Sequence, residues 1–316
     1  MSTRARIVSI AVAAVAVVVA VLLAVVLTTP VSAVEPDVRE LGAAAPLGPA
    51  PASALDDLDE DVSVAVSTLA GEELLIEQRP DFARPLASIT KIITALVVLD
   101  AAPLAPGEDG PVYVPTADDE QTYADLFRGG SAVLPVSPEA PLTQRELLEA
   151  TLVASSANHA IMFGFQTFGD IDEFRTAAKL WLVEHGFRAT EVVDPAGLSS
   201  LNRSTPREML AIARLALENP VIAATVAMPT VEVPGAGTFS NRNAILGVEG
   251  IDGMKTGTTD VAGYSFLFTA LVDAGTGPER IIGIIMGAAS NTERFTVAPA
   301  LLREVRAGFQ RVQLPV

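Results

Sequence analysis

Apolar residues form one long stretch near the start of the chain, residues 7–27, which contains a single polar residue and no charge. The stretch has about the length of a helix that crosses a bilayer. Arg4 and Arg6 precede it, so the positive-inside rule predicts a cytoplasmic N-terminus and an exported remainder. Residues 1–30 are therefore predicted to be a cytoplasmic tip and a transmembrane anchor or signal segment of a single-pass cell-membrane protein. Small residues also fit cleavage after Ala33, which would make the protein secreted.

The pattern changes after this stretch. Residues 31–57 are rich in Ala and Pro without periodicity, which predicts a linker. Residues 58–316 remain for the folded domain, enough for a sizeable core. Within it, alternating valines at 62–66 and apolar residues at 74–76, on either side of a glycine turn, predict a β-hairpin. Further strands are predicted at residues 231–233, 250–256, 264–271 and 281–286.

Helical patterns fill the middle of the domain. Residues 85–99 predict a helix that is apolar on nearly every side, which is typical of a buried helix. Capping boxes at residues 143–146 and 205–208 predict two helix starts. Further helices are predicted over residues 161–168, 171–184 and 292–312. The order of elements favours an α+β fold: an antiparallel sheet built from both ends of the domain, flanked by helices, with the helical block as an inserted subdomain.

The composition excludes several classes of function. The chain has 316 residues, no cysteine and a formal net charge of −17. Without cysteine there are no disulfides and no thiol catalysis. The acidic charge argues against nucleic acid as a partner and against binding to anionic lipid surfaces. No metal-ligand spacing or phosphate-binding loop occurs, so neither a metal nor a cofactor is predicted.

Lysine is rare and its placement is informative. The chain has three lysines against eighteen arginines. Lys91 lies on the predicted buried helix, three residues after Ser88, so that the ammonium and the hydroxyl share one helical face. Uncompensated burial of a charge is costly, and lysine, unlike arginine, can lose its proton when buried. A hydroxyl beside such a lysine is an activated nucleophile.

Three short motifs follow one another along the chain: S-x-x-K at Ser88, S-x-N at Ser156 and K-T-G at Lys255. Each is common on its own, because serines near helix starts, helix caps and turns are ordinary structural features. Here they occur together, at the start of a buried helix, between helices and on a predicted strand. The combination therefore carries more information than any one motif.

In these motifs the chain resembles the penicillin-recognising serine hydrolases of the β-lactamase and DD-peptidase type. Within them it is most similar to the low-molecular-mass D-alanyl-D-alanine carboxypeptidases of peptidase family S11. Longer blocks carry the likeness: P-L-A-S-I-T-K-I-I-T-A-L, L-L-E-A-T-L-V-A-S-S-A-N-H-A, D-P-A-G-L, F-S-N-R-N and G-I-D-G-M-K-T-G-T-T-D-V-A-G-Y. The resemblance implies a β-lactamase/DD-peptidase-like fold and a carboxypeptidase that acts on peptidoglycan stem peptides ending in D-Ala-D-Ala. It also implies β-lactams as covalent inhibitors.

The resemblance assigns roles to the motif side chains. Ser88 is expected to be the nucleophile that forms the acyl-enzyme, with neutral Lys91 as its base. Ser156 is expected to relay a proton toward the leaving amine. Asn158 is expected to bond a substrate amide and to fix Lys91. We therefore expect Lys91 to be buried within reach of Ser88 and Asn158, and to face Lys255 across a cleft.

The K-T-G strand is expected to bind the terminal carboxylate of the peptide. Lys255 supplies the charge, and Thr256 and Thr258 supply hydroxyl groups. Gly257 has no side chain, so a substrate strand can lie against it. By the same resemblance, backbone N–H groups of the nucleophile and of Thr258 form the oxyanion hole.

Other interpretations are weaker. A class A type β-lactamase needs a glutamate in an E-x-x-L-N block, and Leu198 occupies that position before Leu201-Asn202. An inactive penicillin-binding scaffold is the non-enzyme alternative, although no motif residue is missing. A Ser-His-Asp triad would need His159 or His185, and the G-x-S-x-G motif is absent. His159 stands where the family more often has an acidic residue, and we expect it to face solvent or a local partner.

Overall fold

The computed structural model of the protein describes residues 53–313, apart from Asp57 and Thr276. The predicted membrane segment, residues 1–30, and most of the predicted linker, residues 31–57, lie outside the described residues. Among the described helices, no single one is long and apolar enough to cross a bilayer, and Pro206–Glu218 and Pro220–Val226 reach that limit only as a pair bent by 105°.

A five-stranded antiparallel sheet joins the two ends of the described domain, as the sequence predicted. The strands, in chain order, are β1 (Ser63–Thr68), β2 (Leu74–Gln78), β3 (Arg84–Pro85), β4 (Val112–Tyr113), β5 (Leu142–Thr143), β6 (Arg203–Ser204), β7 (Thr230–Val233), β8 (Gly237–Ser240), β9 (Ile251–Thr259), β10 (Gly263–Asp273) and β11 (Pro278–Ala288). The central sheet has the order β2-β1-β11-β10-β9. The predicted strand at 231–233 lies outside it and pairs with β8 in a separate hairpin.

Helices form the block between the two halves of the sheet and the end of the domain. In chain order they are α1 (Thr90–Ala101), α2 (Ala117–Arg128), α3 (Gln144–Leu152), α4 (Ala157–Phe168), α5 (Ile171–Glu184), α6 (Pro206–Glu218), α7 (Pro220–Val226) and α8 (Asn291–Gln313). The sequence prediction missed α2 and α7. No side chain of α2 is fully buried, and Tyr123 and Leu126 are only partly covered by the core. α7 has seven residues, too few to show a helical period.

The two predicted capping boxes differ. At α3, Thr143 and Glu146 exchange both hydrogen bonds, and the box is complete. At α6, Thr205 accepts the N–H of Glu208, but the Glu208 carboxylate accepts bonds from the segment 188–190 instead. The second box is therefore half formed, because its glutamate holds a neighbouring loop.

The two faces of the sheet pack into different hydrophobic clusters. On β10, Phe266 and Phe268 belong to the cluster that includes α8, whereas Leu267 between them belongs to the cluster of the helical block. Strands covered on both faces show apolar runs rather than simple alternation. α1 lies in the larger cluster, where burial of each Ile, Leu or Val side chain stabilises the fold by about 1.5–3 kcal/mol. It is therefore a rigid base for the residues at its start.

Candidate active site

Ser88 lies in a short 3-10 turn, Ala87–Ile89, that leads directly into α1. Its side chain is partly exposed, whereas Ala87 and Ile89 on either side are buried. Ala87 has a φ of +47°, in the left-handed region that costs an L-residue roughly 1–2 kcal/mol. Such a conformation persists only where the surroundings hold it.

Two glycines let neighbouring segments hold this turn. A Cβ atom at Gly197, which has a φ of +79°, would lie 1.8 Å from the Ala87 carbonyl oxygen. A Cβ atom at Gly257 in β9 would lie 2.6 Å from the Leu86 carbonyl oxygen. We expected Gly257 to make room for substrate. The structure adds a different reason, because the K-T-G strand packs against the backbone of the turn that carries Ser88.

Lys91 is fully buried and its ammonium group contacts the Ser88 hydroxyl. Its Nζ donates to Ser88 Oγ at 2.8 Å and to the Ala196 carbonyl oxygen at 2.6 Å. Burial lowers the pKa of Lys91 to about 7, because desolvation outweighs the opposing effect of the Asp194 charge. A large fraction of Lys91 is therefore neutral near neutral pH, as a base beside Ser88 requires.

Asp194 orders the loop that supplies the second partner of Lys91. Its carboxylate accepts backbone N–H bonds from Ala196, Gly197, Leu198 and Ser199. These bonds fix the Ala196 carbonyl that Lys91 contacts. Asp194 thus orders the loop, and its charge also opposes the lowering of the Lys91 pKa.

Lys255 is also buried, 1% exposed, and it lies near enough to Lys91 for the two charges to interact. Its pKa lies well below the usual range because of desolvation, with further lowering by the charges of Lys91, Arg294 and Arg242. Two ammonium groups this close cannot both be charged without a large cost. The charge of Lys91 therefore affects Lys255, whereas the expected arrangement of the two lysines across a cleft stays a prediction.

The hydroxyl that holds Lys255 comes from Ser155, which the sequence analysis did not single out. Lys255 Nζ donates to Ser155 Oγ at 2.7 Å and to the Thr256 carbonyl oxygen at 3.1 Å. Ser155 has a φ of +61°, a second left-handed residue at the site. The tandem Ser155-Ser156 was visible in the sequence, but the motif pattern favoured Ser156 alone.

Asn158 does not contact Lys91 in the described structure, and this expectation was wrong. Both ends of its amide bind the backbone of Leu134: Oδ1 accepts the N–H at 3.1 Å and Nδ2 donates to the carbonyl at 2.9 Å. Oδ1 also lies 2.8 Å from Ser156 Oγ. The amide is therefore occupied in fixing the 134 segment, and Lys91 uses the Ala196 carbonyl instead.

Ser156 is buried at the start of α4, and its hydroxyl contacts residues of that helix. Its Oγ lies 2.8 Å from Asn158 Oδ1 and 2.8 Å from His159 Nδ1. His159 is fully buried, which decides between solvent and a local partner in favour of the partner, Ser156. The two adjacent serines thus have different contacts, Ser155 with Lys255 and Ser156 with His159.

The K-T-G strand is supported by Arg294, which the sequence analysis also missed. Thr256 is buried and Thr258 is exposed at the end of β9. From α8, Arg294 Nη1 donates to the Gly257 carbonyl at 2.9 Å and to Thr258 Oγ1 at 3.0 Å. Burial lowers the pKa of Arg294 to about 10, so it stays charged at neutral pH. No motif marks this arginine, because a terminal helix brings it to the strand.

The site combines an accessible hydroxyl next to a buried lysine with a cluster of cations in an acidic protein. The first can form a covalent acyl intermediate. The second favours a substrate with a negative group. Within the described residues, no group of three or more His, Asp or Glu side chains could hold a metal ion.

A serine activated by a buried lysine, with S-x-N and K-T-G segments beside an antiparallel sheet, defines a penicillin-recognising serine hydrolase. The model of the D-alanyl-D-alanine carboxypeptidase family, peptidase S11, matches residues 52–290. The chain therefore belongs to this family.

Curated relatives and solved structures agree with this assignment. The chain is 29% identical over 260 residues to D-alanyl-D-alanine carboxypeptidase DacB2 of Mycobacterium tuberculosis, covering 79% of this chain and 80% of the relative. It is 26% identical over 228 residues to the D-alanyl-D-alanine endopeptidase of Escherichia coli, covering 67% of each chain. Ampicillin-bound penicillin-binding protein D2 of Listeria monocytogenes is similar with a TM-score of 0.63 and 26% identity, over 77% of this chain and 95% of that one.

Replacing Lys91 with methionine is predicted to flatten the rise of stability with pH. The pKa of Lys91 is about 7 in the folded protein, below its unfolded value of about 10.4. Between these values the unfolded state binds more protons, so stability rises with pH by up to about 1.4 kcal/mol per pH unit from this group. Urea unfolding between about pH 7 and pH 9 should show a smaller slope for Lys91→Met than for the wild type.

Lys179, exposed on α5, provides the matched control. Lys179→Met should keep the wild-type slope, because the side chain is exposed and its removal changes no buried charge. Equal slopes for Lys91→Met and the wild type would contradict a buried, titrating Lys91.

Proposed function

We propose that this protein is a serine-type D-Ala-D-Ala carboxypeptidase that removes the terminal D-alanine of peptidoglycan stem peptides through an acyl-enzyme on Ser88. The observation that carries the proposal is the 2.8 Å contact between Lys91 Nζ and Ser88 Oγ in a buried site. Membership of the D-alanyl-D-alanine carboxypeptidase family sets the substrate class.

Acylation uses Lys91 as the base. Neutral Lys91 takes the proton of Ser88 as Oγ attacks the carbonyl carbon of the penultimate D-alanine. Backbone N–H groups of Ser88 and Thr258 are proposed to stabilise the oxyanion, following the family resemblance. The proton on Lys91 then passes through the Ser156 hydroxyl to the amine nitrogen, and the C–N bond breaks to release D-alanine.

Deacylation reverses these proton movements. Neutral Lys91, once it has given up its proton, accepts one from a water molecule that attacks the ester carbon. The ester bond breaks, and Ser88 regains a proton from Lys91. The same neutral form of the lysine is required in both halves of the reaction, so its lowered pKa serves each of them.

The terminal carboxylate is proposed to bind at the K-T-G strand. Lys255 uses two of its N–H groups on Ser155 and the Thr256 carbonyl, which leaves one for a ligand. The Thr256 and Thr258 hydroxyls add donors along the same strand. Arg294 behind the strand supplies further positive charge. Asn158, which we expected to bond a substrate amide, is buried and binds the backbone of Leu134, so we propose that it holds the 134 segment instead.

β-Lactams are proposed to acylate Ser88 as mimics of the D-Ala-D-Ala bond. The similarity to an ampicillin-bound penicillin-binding protein supports this. A β-lactamase fits less well, because exposed Leu198 stands where a deacylating glutamate is needed and Asp194 is occupied by backbone N–H groups. Endopeptidase action, named for one of the relatives, would use the same acyl chemistry on a cross-linked peptide. An inactive scaffold would not require intact motifs.

The location of the enzyme is proposed from the hydropathy pattern. Residues 1–30 would anchor the protein in the cell membrane, residues 31–57 would act as a linker, and residues 58–316 would carry the catalytic domain outside the cytoplasm. Cleavage after Ala33 would release the same domain. In both cases the active site reaches peptidoglycan, which lies outside the membrane.

Ser88→Ala is predicted to abolish both peptide hydrolysis and covalent penicillin labelling, because both need the same nucleophile. Released D-alanine and the mass shift after incubation with penicillin measure the two reactions. Ser200→Ala, at an exposed serine, should retain both. Labelling that persists in Ser88→Ala would refute the assignment of the nucleophile.

The adjacent serines are predicted to affect different kinetic constants. Ser155→Gly suits the φ of +61° and removes the partner of Lys255, so KM for the peptide should rise about tenfold while kcat changes little. Ser156→Ala removes the proton relay, so kcat should fall by roughly 100-fold or more. Steady-state kinetics of both variants provide the test, and a reversed pattern would exchange the roles of the two serines.

A further inference from the structure

His159 is the buried titratable residue for which the three motifs give no role. It lies in the first turn of α4 and is fully buried, with Nδ1 2.8 Å from Ser156 Oγ. The hydrogen in this bond belongs either to His159 Nδ1 or to Ser156 Oγ, and the neighbouring contacts decide which.

The contacts of the Asn158 amide with Leu134 fix its orientation, and this orientation determines where the Ser156 hydrogen lies. Its Oδ1 faces the N–H of Leu134 and its Nδ2 faces the carbonyl, so exchange of the two amide atoms would break both bonds. Oδ1 is an acceptor and cannot donate. The contact of Ser156 Oγ with Asn158 Oδ1 at 2.8 Å therefore uses the hydroxyl hydrogen of Ser156.

A serine hydroxyl has one hydrogen, so His159 must supply the hydrogen of the other bond. His159 Nε2 is buried without a hydrogen-bond partner among the described residues, so it makes no bond that would draw the hydrogen away from Nδ1.

The imidazole ring of His159 is neutral, so only one of its two nitrogens carries a hydrogen. Burial lowers the pKa of His159 to about 4, against the opposing charge of Asp119 on α2. At neutral pH one ring nitrogen carries hydrogen and the other does not. The contacts place it on Nδ1.

We propose that His159 is a positioning residue that donates its Nδ1–H to Ser156 Oγ and thereby fixes the hydroxyl for proton relay to the leaving amine. The inference rests on the proposed function for the role of Ser156. With one lone pair bound by His159, the Ser156 oxygen keeps its other lone pair for the proton that the proposed relay brings from Lys91. As that proton arrives, the hydrogen of Ser156 turns from Asn158 to the amine nitrogen, and His159 neither gains nor loses a proton.

The tautomer can be measured without any activity, because the chain has two histidines. Full-length protein labelled with 15N-histidine should give two ring systems in a long-range 1H–15N correlation spectrum, and His185→Gln assigns them. For His159 we expect hydrogen on Nδ1 and none on Nε2. Ser156→Ala should shift the Nδ1–H resonance, because its acceptor is lost. Hydrogen on Nε2, or a doubly protonated ring at neutral pH, would overturn the proposal.

The proposed role of His159 predicts that its replacement affects substrates with an amine leaving group more than those with a thiolate leaving group. An amine must be protonated as the C–N bond breaks, whereas a thiolate leaves without a proton. His159→Leu should therefore lower kcat for a D-Ala-D-Ala peptide roughly 10- to 100-fold, while turnover of a thioester of the same acyl group changes by less than about threefold. His159→Asn offers an amide N–H in place of Nδ1–H and should restore most of the peptide activity.

Equal losses for peptide and thioester would overturn the positioning role, and so would full peptide activity in His159→Leu. If His159→Leu fails to fold, the ratio of the two substrates in His159→Asn and the tautomer of the wild type still decide the matter. Wild-type protein that released no D-alanine would refute the proposed function instead. The spectrum would then support or overturn the Ser156–His159 bond by itself.

Discussion

The cost of burying the charge of Lys91 is the constraint on which the site depends. The side chain is fully buried at the start of an apolar helix, and its pKa falls to about 7. The charges of Lys91, Arg294 and Arg242 also lower the pKa of Lys255, so that the two lysines cannot both remain protonated at low cost. A protein that only needed stability would place an apolar residue at position 91. The cost is understandable if the neutral amine is the functional species.

Backbone geometry keeps Lys91 and Ser88 in contact. Gly197 and Gly257 let two separate chain segments approach the turn around Ala87 more closely than any side chain would allow. Ala87 and Ser155 are held in left-handed conformations next to the two lysines. These are two of the four described non-glycine residues with positive φ, and the contacts around the site hold them in place. The apolar packing of α1 stabilises the fold and offsets the cost of these strained conformations.

Patterns that are local in sequence were sufficient to predict the fold class and the contact of Ser88 with Lys91. The hairpin, α1 and the meeting of both ends of the described domain in one sheet follow from periodicity and order. The features that the sequence did not predict leave no local pattern along the chain. α2 has no fully buried side chain, so its apolar signal in the sequence is weak. Arg294 reaches the K-T-G strand from a distant helix. The different contacts of Ser155, Ser156 and Asn158 follow from hydrogen-bond directions, which no spacing of residues encodes.

The pH dependence of acylation tests the central claim, that neutral Lys91 activates Ser88. The second-order rate constant for labelling by a penicillin should be low at acidic pH and rise as Lys91 loses its proton, with an apparent pKa of about 7. Lys91→Arg, which stays charged, should be inactive across the range. A rate constant that does not change between about pH 5.5 and pH 8.5, or a Lys91→Arg variant that acylates normally, would contradict the account.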